Sequence, residues 1–320
     1  MMLIGTSAGL YGWDESRGNT TLVGLKSKDV QGVVSDTHGN VFVSLSDNTV
    51  WQSADAGHTW QQLQSDTIQE EITVIFAEPS SGELYVGTEP PKIYRFNRTD
   101  KDWQLLADLS RLEVAKTWYT PWGGPPAVRS MAASDEGLYL DIHVGGILRS
   151  FDGGETWKSV SDGLHLDVHQ VATSDRQQHA VYAATAGGFY LSEDQGKSWE
   201  ARNTGLPNRY TRGIAIHPDE PKTVLISGSP TSPGGWRTNG KRFALFRTVD
   251  QGAHWEKVTR GLPEASDAEI DTHSIAFSPT VPDIALCGLR SGMLYASDDA
   301  GASWSVASDA LPSIHGLCAV

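Results

Sequence analysis

An eight-residue element of the form S/T-x-D-x-G-x-x-W occurs five times in this chain, and it constrains the fold more than any other feature. Its copies are SADAGHTW (53–60), SFDGGETW (150–157), SEDQGKSW (192–199), TVDQGAHW (248–255) and SDDAGASW (297–304). Self-similarity at a period of about 40–50 residues is typical of an array of identical supersecondary units. The chain is therefore expected to be built from repeated units.

The residue types of the element predict a hairpin turn. Asp and Ser or Thr side chains bond nearby backbone N–H groups, Gly adopts the positive φ that tight turns need, and Trp buries a large apolar surface at the start of the next strand. A strand-like run precedes each copy, such as FYLS before the third. The same residue types could bind a metal or phosphate, but five equivalent copies favour a structural role.

The element resembles the Asp-box, or bacterial neuraminidase repeat, of sialidases, sortilin-type receptors, some glycoside hydrolases and a photosystem assembly factor. This resemblance implies a β-propeller in which the box joins the two outer strands of a blade, on the face away from the active site. It implies little about activity. The chain lacks the Arg-Ile-Pro motif that sialidases carry ahead of their first box, so we do not expect a sialidase.

Two degenerate copies, PKIYRFNRTDKDW (91–103) and GLYGWDESRGNTT (9–21), raise the number of units to seven. Each unit also contains two further apolar runs, such as VHQVA and AVYAAT, which predicts four strands per unit. The seventh unit is split between SIHGLCAV near the C-terminus and MMLIGTS, GLYGW and TTLVGL near the N-terminus. We therefore predict an all-β fold, a seven-bladed β-propeller of four-stranded blades forming one domain over residues 1–320. Pairing of the N- and C-terminal strands in one blade would close it.

Composition argues against several classes of function. The formal net charge of −14 disfavours nucleic acid and anionic membranes as partners. No apolar stretch approaches the length of a membrane-spanning helix, and the first residues lack the basic region of a signal peptide. The two cysteines give no disulfide framework. We expect a cytoplasmic protein.

Alignment of the units places polar residues at one position of the inner strands, where packing alone would favour small or apolar ones. In chain order these residues are Gln31, Thr73, Arg129, His169, Arg212, His273 and His315. The ends of the second strands lie at the same face and add Glu89, His143 and Arg290. Because the inner strands surround the propeller axis, these side chains are expected to rim one mouth of the central channel.

The histidines of this ring suggest a metal site. We expect His169, His273 and His315 to converge on one ion, with Gln31, Thr73 or water completing the shell, because imidazole binds Mn, Zn, Fe, Cu and Ni. The alternative is a water-filled polar mouth in which each histidine only forms hydrogen bonds.

Two segments, 107–126 and 229–242, are too long for ordinary connections and are expected at the same face. They carry aromatic and cationic side chains that suit a sugar ring or an anion. These side chains are Tyr119, Trp122, Trp236 and Arg237. Each tryptophan could equally pack within its own loop.

Two functions remain open. The first is an enzyme, lyase- or hydrolase-like and possibly metal-dependent, acting on a small anionic or sugar-like substrate; in outline it is similar to propeller lyases that hold a metal with several His and a Gln. The catalytic candidates are His143, Tyr119 and Arg129, and the substrate-binding candidates are Arg212, Arg290, Trp122, Trp236, Arg237 and Glu89. The second is a non-catalytic propeller that binds a ligand or a protein partner. Glycan chemistry by paired carboxylates is a weaker option, since Glu89 is the only acid in these two rings.

Overall fold

The computed structural model describes residues 1–63 and 66–319, and its strands form seven antiparallel sheets of four strands each. We call the sheets blades 1 to 7 in chain order. Blade 1 contains β1 (Met2–Thr6), β2 (Gly9–Asp14), β3 (Asn19–Gly24) and β28 (Ile314–Ala319). Blade 2 contains β4 (Val30–Ser35), β5 (Val41–Leu45), β6 (Val50–Ser53) and β7 (Gln61–Leu63). Blade 3 contains β8 (Glu71–Ala77), β9 (Leu84–Glu89), β10 (Lys92–Asn97) and β11 (Asp102–Asp108).

Blade 4 contains β12 (Val128–Ser134), β13 (Gly137–Ile142), β14 (Gly146–Ser150) and β15 (Lys158–Ser159), and blade 5 contains β16 (Val168–Thr173), β17 (Val181–Thr185), β18 (Gly188–Ser192) and β19 (Glu200–Ala201). Blade 6 contains β20 (Tyr210–Ile216), β21 (Val224–Ser229), β22 (Ala244–Thr248) and β23 (Glu256–Lys257), and blade 7 contains β24 (Ile275–Phe277), β25 (Ala285–Gly288), β26 (Leu294–Ser297) and β27 (Ser305–Ser308). Two 3-10 helices, Leu109–Arg111 and Glu113–Thr117, and α1 (Pro233–Asn239) lie in the two long connections. In the described ranges, no helix has the length and apolar character needed to cross a membrane.

The N- and C-terminal strands pair in blade 1, whose strand order is β28-β1-β2-β3. Their register sets Met2 opposite Ala319 and Ile4 opposite Leu317. The C-terminal strand thereby satisfies the backbone groups that β1 would otherwise leave unpaired at the channel. The predicted seven-bladed, all-β propeller and its split closing blade are confirmed.

The repeated element forms the hairpin tip between the third and fourth strands of a blade, as predicted. In blade 4, Ser150 Oγ donates to Asp152 Oδ1 (2.8 Å) and accepts from Gly154 N (2.9 Å). The backbone N–H of Thr156 donates to the same carboxylate (2.9 Å), and Trp157 Nε1 donates to the Gly154 carbonyl (2.9 Å). These bonds close the turn on itself and orient the tryptophan towards the core.

Each tryptophan of this kind fills the space between two blades. Trp157 is 5% exposed and packs in one cluster with Leu148 of its own blade and with Val74 and Tyr85 of blade 3. Burial of a large aromatic surface between sheets makes the element a device for joining neighbouring blades.

The inner strands share a second irregularity, which lies at the aligned polar positions. The strand register shifts at Gln31, Thr73, Arg129, His169, Arg212 and His315, where the inner strand carries a β-bulge. In blade 7 the equivalent His273 lies just before β24 and has φ 58°. A bulge re-aims its side chain and ends regular pairing. The polar ring is therefore built by a backbone feature that recurs in six inner strands.

Candidate functional site

One mouth of the central channel opens into a cavity of ≈ 700 Å³. Most residues of the two predicted rings line it: Gln31, Thr73, Glu89, Arg129, His143, His273, Arg290 and His315. Trp122, from the long connection between blades 3 and 4, also lines it. These positions share one mouth because the bulged inner strands and the ends of the second strands meet there, whereas His169 and Arg212 do not line the cavity.

A third ring, which the unit alignment did not include, supplies the acids of this mouth. The residue two positions before the inner-strand ring residue is acidic in four blades: Asp29, Glu71, Asp167 and Asp271. Side chains two residues apart on a strand point to the same face, so this spacing was a readable signal. The acids neutralise much of the basic ring and change the roles of several predicted residues.

Asp271 holds two of the three predicted ring arginines. Its Oδ1 lies 2.6 Å from Arg212 Nη2 and its Oδ2 lies 2.9 Å from Arg290 Nη2. Burial alone would raise the pKa of Asp271, but Arg212, Arg290 and Arg129 hold it well below its usual value. Arg212 and Arg290 therefore form an internal ion pair with Asp271. Contrary to the prediction, Arg212 does not line the cavity.

Arg129 is different, because the residue two positions before it is Ala127 and not an acid. It forms no ion pair with any described residue, and its Nη1 lies 3.1 Å from His143 Nε2. Burial, followed by the charge of Arg212, lowers the pKa of Arg129. Burial and the charge of Arg129 in turn lower the pKa of His143 to about 3, so His143 is neutral and accepts a hydrogen bond from the guanidinium. Arg129 thus presents to the cavity a positive charge that forms no direct ion pair with any described residue.

The histidines do not converge as the sequence suggested. His315 Nδ1 lies 3.2 Å from Asp29 Oδ1, which also accepts from Gln31 Nε2 (2.8 Å). His273 Nδ1 lies 3.4 Å from the side chain of Gln170. The predicted set of His169, His273, His315 and Gln31 is therefore not brought to a common centre, because these side chains pair with nearer partners.

His169 instead forms a cluster with His143 and Asp167. The Asp167 Oδ1 atom lies 3.4 Å from His169 Nε2 and 3.7 Å from His143 Nε2, and the three atoms lie within 4.8 Å of one another. His169 is fully buried, its Nδ1 bonds the carbonyl of Thr211, and its ring packs 4.6 Å from that of Tyr210. Among described residues, this is the only such group of three His, Cys or acidic side chains.

Two carboxylates face each other on another part of the cavity wall. Glu71 and Glu89 are directly opposite in the pairing of β8 with β9, and both line the cavity. Burial, followed by the charge of Glu71, raises the pKa of Glu89. A Cβ on Gly124 would lie 3.9 Å from Glu89 Oε1, so the segment that carries Trp122 passes over this pair. The ring of Trp122 also lies 4.6 Å from that of His143.

Three predicted site residues lie away from the cavity. Tyr119 is 66% exposed and does not line it. Trp236 packs its ring 5.9 Å from Tyr210 and 5.8 Å from Phe243, and its Nε1 donates to the Thr231 carbonyl (2.8 Å). This is the alternative in which the loop packs its own tryptophan. Arg237 is exposed on α1, so neither side chain of that helix contributes to the mouth.

Comparison with known proteins places the chain among propellers of several functions. A family model described as Sortilin-Vps10 (sortilin, neurotensin receptor 3) matches residues 145–269, well under half of the chain. An oligoxyloglucan-reducing end-specific xyloglucanase of Emericella nidulans is 30% identical over 116 residues, covering 34% of this chain and 14% of the relative. A xyloglucanase of Hypocrea jecorina is 25% identical over 295 residues, covering 87% of this chain and 29% of the relative. The chain thus spans less than a third of the length of either relative.

Solved structures agree on the fold. A GH74 enzyme of Niastella koreensis superposes with a TM-score of 0.70 at 16% identity, covering 95% of this chain and 51% of that one. The YCF48 protein, solved bound to a D1 peptide, superposes with a TM-score of 0.61 at 16% identity, covering 87% of this chain and 80% of that one. At this identity the likeness concerns the propeller alone, and the mouth described above must carry any functional argument.

Proposed function

We propose that this chain is a glycoside hydrolase-like enzyme whose mouth cavity binds an anionic, saccharide-like substrate. The observation that carries the proposal is the pair of carboxylates, Glu71 and Glu89, that face each other on the cavity wall. Directly opposite residues on antiparallel strands have Cβ atoms about 4.5–5.5 Å apart. Two carboxyl groups flanking one bond, with separated pKa values, are the machinery of most glycosidases.

The two carboxyl groups have different environments, which suggests different roles. Glu89 is half-buried and its pKa is raised, so it is the group suited to protonate a leaving oxygen. Glu71 is exposed to the cavity, and we assign it the ionised role of base or nucleophile. Neither side chain forms a hydrogen bond or ion pair with another described residue, so both are free to meet a substrate.

Two neighbours supply binding. Trp122 offers an aromatic ring at the rim, which is a suitable surface for a sugar ring. Arg129 carries a charge without a counter-ion, and a carboxylate, sulfate or phosphate on the substrate would compensate it. The xyloglucanases among the relatives make oligosaccharides the first substrates to test.

The experiment is a hydrolysis screen of xyloglucan-derived and uronic-acid-containing oligosaccharides, read by release of reducing ends. Glu89→Gln should lower kcat by about 10²–10⁴-fold, because general acid catalysis contributes that much. Glu113→Gln is the matched control, since Glu113 is an exposed acid on the same long connection as Trp122 and pairs only with Lys116. Equal activity of Glu89→Gln and wild type on a cleaved substrate would refute the assignment.

A non-catalytic role is the second candidate, and the unpaired Arg129 favours it. YCF48 is a propeller of similar fold that was solved with a bound peptide, and a half-buried arginine suits an acidic or C-terminal carboxylate of a peptide. Three results together would support this role over the enzyme. The wild type would bind an anionic ligand without cleaving any glycan, Arg129→Gln would lose that binding, and Glu89→Gln would keep it.

A further inference from the structure

We infer that His143, Asp167 and His169 form a binding site for a divalent first-row transition metal such as Zn²⁺, at the edge of the mouth cavity. The site uses none of the carboxylates of the proposed hydrolase chemistry, so each proposal stands or fails separately. Its three ligands come from two adjacent blades: His143 follows β13 of blade 4, and Asp167 and His169 flank the start of β16 in blade 5.

Two buried acceptor atoms face each other within this cluster. The N–H of His169 Nδ1 donates to the Thr211 carbonyl, which leaves a lone pair on Nε2 of the neutral ring. That nitrogen lies 3.4 Å from the carboxylate oxygen Oδ1 of Asp167, also an acceptor. Neither atom has a hydrogen-bond partner in the described part of the chain. A cation between them would satisfy both.

The spacing of the ligand atoms also suits a divalent metal ion. Zn–N and Zn–O bonds of about 2.0–2.1 Å put neighbouring ligands of a tetrahedron about 3.3–3.4 Å apart. The distance from Asp167 Oδ1 is 3.4 Å to His169 Nε2 and 3.7 Å to His143 Nε2. Two imidazoles and one carboxylate are also a common protein ligand set for a divalent transition metal with an open position.

One of the ligands, His169, is also held in place by neighbouring residues. Metal-binding histidines usually donate their second ring N–H to a carbonyl or carboxylate, which fixes the tautomer and orients the ring. His169 does this through Thr211, and the ring of Tyr210 packs against it at 4.6 Å between centroids. His169 is fully buried, so it is held in this orientation before any ion arrives.

Arg129 competes with the ion for one ligand. Its Nη1 lies 3.1 Å from His143 Nε2, and this contact occupies the lone pair that a metal would take. Metal binding therefore requires the guanidinium to turn towards the cavity. Removal of its charge and its hydrogen bond should leave His143 free, so Arg129→Met should bind Zn²⁺ at least as tightly as the wild type.

The test is titration of the chelator-treated full chain with Zn²⁺ by calorimetry, and with Co²⁺ by visible absorption, which is intense for tetrahedral coordination. We expect one equivalent of each ion. Asp167→Asn and His143→Gln should weaken binding by at least about tenfold. The side chains of Asp167 and His143 are 24% and 20% exposed, so both variants should fold. Thermal unfolding without metal tests whether they do.

His315→Gln is the matched control, because His315 lies at the same mouth and pairs with an acid but lies outside the cluster. It should bind both ions like the wild type. Failure of the wild-type chain to bind either ion would overturn the proposal. So would loss of binding in His315→Gln with retention in Asp167→Asn, or weaker Zn²⁺ binding in Arg129→Met.

Discussion

Replacing Asp271 by Asn should destabilise the propeller more than any other single change in the acidic ring. Asp271 is buried, forms an ion pair with Arg212 at 2.6 Å and accepts a hydrogen bond from Arg290 at 2.9 Å. Asn keeps the size of the side chain but leaves Arg290 without a counter-ion and Arg212 with only Glu269, 3.9 Å away, next to the already unpaired Arg129. Breaking a buried ion pair by removing one partner costs about 3–5 kcal/mol. Because the side chain of Arg290 is 35% exposed, we expect the lower end of that range.

The assay is thermal unfolding followed by circular dichroism. An unfolding entropy of about 2.1 cal/mol/K per residue makes a loss of about 3 kcal/mol equivalent to about 4–5 °C in Tm for a chain of this length. Asp29→Asn is the control, because Asp29 has a side chain 36% exposed and pairs with a single histidine. It should change the free energy of unfolding by less than about 1 kcal/mol.

The same variant has a defined pH dependence. The native pKa of Asp271 lies below its unfolded value of about 3.9, so its stabilising effect is fully present above that value and is lost as the pH falls through the native pKa. The difference in the free energy of unfolding between wild type and Asp271→Asn should stay constant from pH 7 to about pH 5 and become smaller in stronger acid. A Tm for Asp271→Asn equal to that of Asp29→Asn at neutral pH would refute the reasoning, as would failure of Asp271→Asn/Arg212→Met to recover part of the loss.

Two further predictions concern the opposite ends of the blades. Asp194→Ala removes the hydrogen bonds that Ser192 Oγ (2.8 Å) and Ser198 N (2.9 Å) donate at a hairpin tip. The change should lower the free energy of unfolding by about 1–2 kcal/mol in a denaturation experiment and leave ligand and metal binding at the mouth unchanged. Loss of binding without loss of stability would mean that the repeated element is itself a site. At the mouth, kcat/KM for a cleaved glycan should fall as the pH rises through the raised pKa of Glu89, and Glu71→Asp, which keeps the like charge, should retain that limb of the pH profile. A profile with no limb above the ordinary carboxyl range would contradict the role of Glu89.

The sequence determined the architecture because the information for it is local and repeated. Each hairpin tip needs only Ser or Thr, Asp, Gly and Trp in fixed spacing, and the bonds of Ser150 and Asp152 lie within eight residues. Repetition of this unit fixed the number of blades, and the leftover strands at the two ends could pair only with each other. The same alignment also located the polar ring at the channel mouth, since equivalent positions in a propeller share one height along the axis.

Only the tertiary structure decided which members of the ring meet. Equivalence of His169, His273 and His315 suggested proximity, but the rings of these histidines contact different partners, namely Thr211, Gln170 and Asp29. His143 of the neighbouring blade instead reaches His169 across a blade interface. The β-bulges set the direction of each side chain. Two members of the acidic ring form ion pairs with ring residues: Asp271 with Arg212 and Arg290, and Asp29 with His315. Composition likewise did not decide whether the tryptophans of the long connections face the mouth or pack within their loops. Trp122 lines the cavity, whereas Trp236 packs against Phe243. The backbone path of each loop depends on contacts far away in sequence.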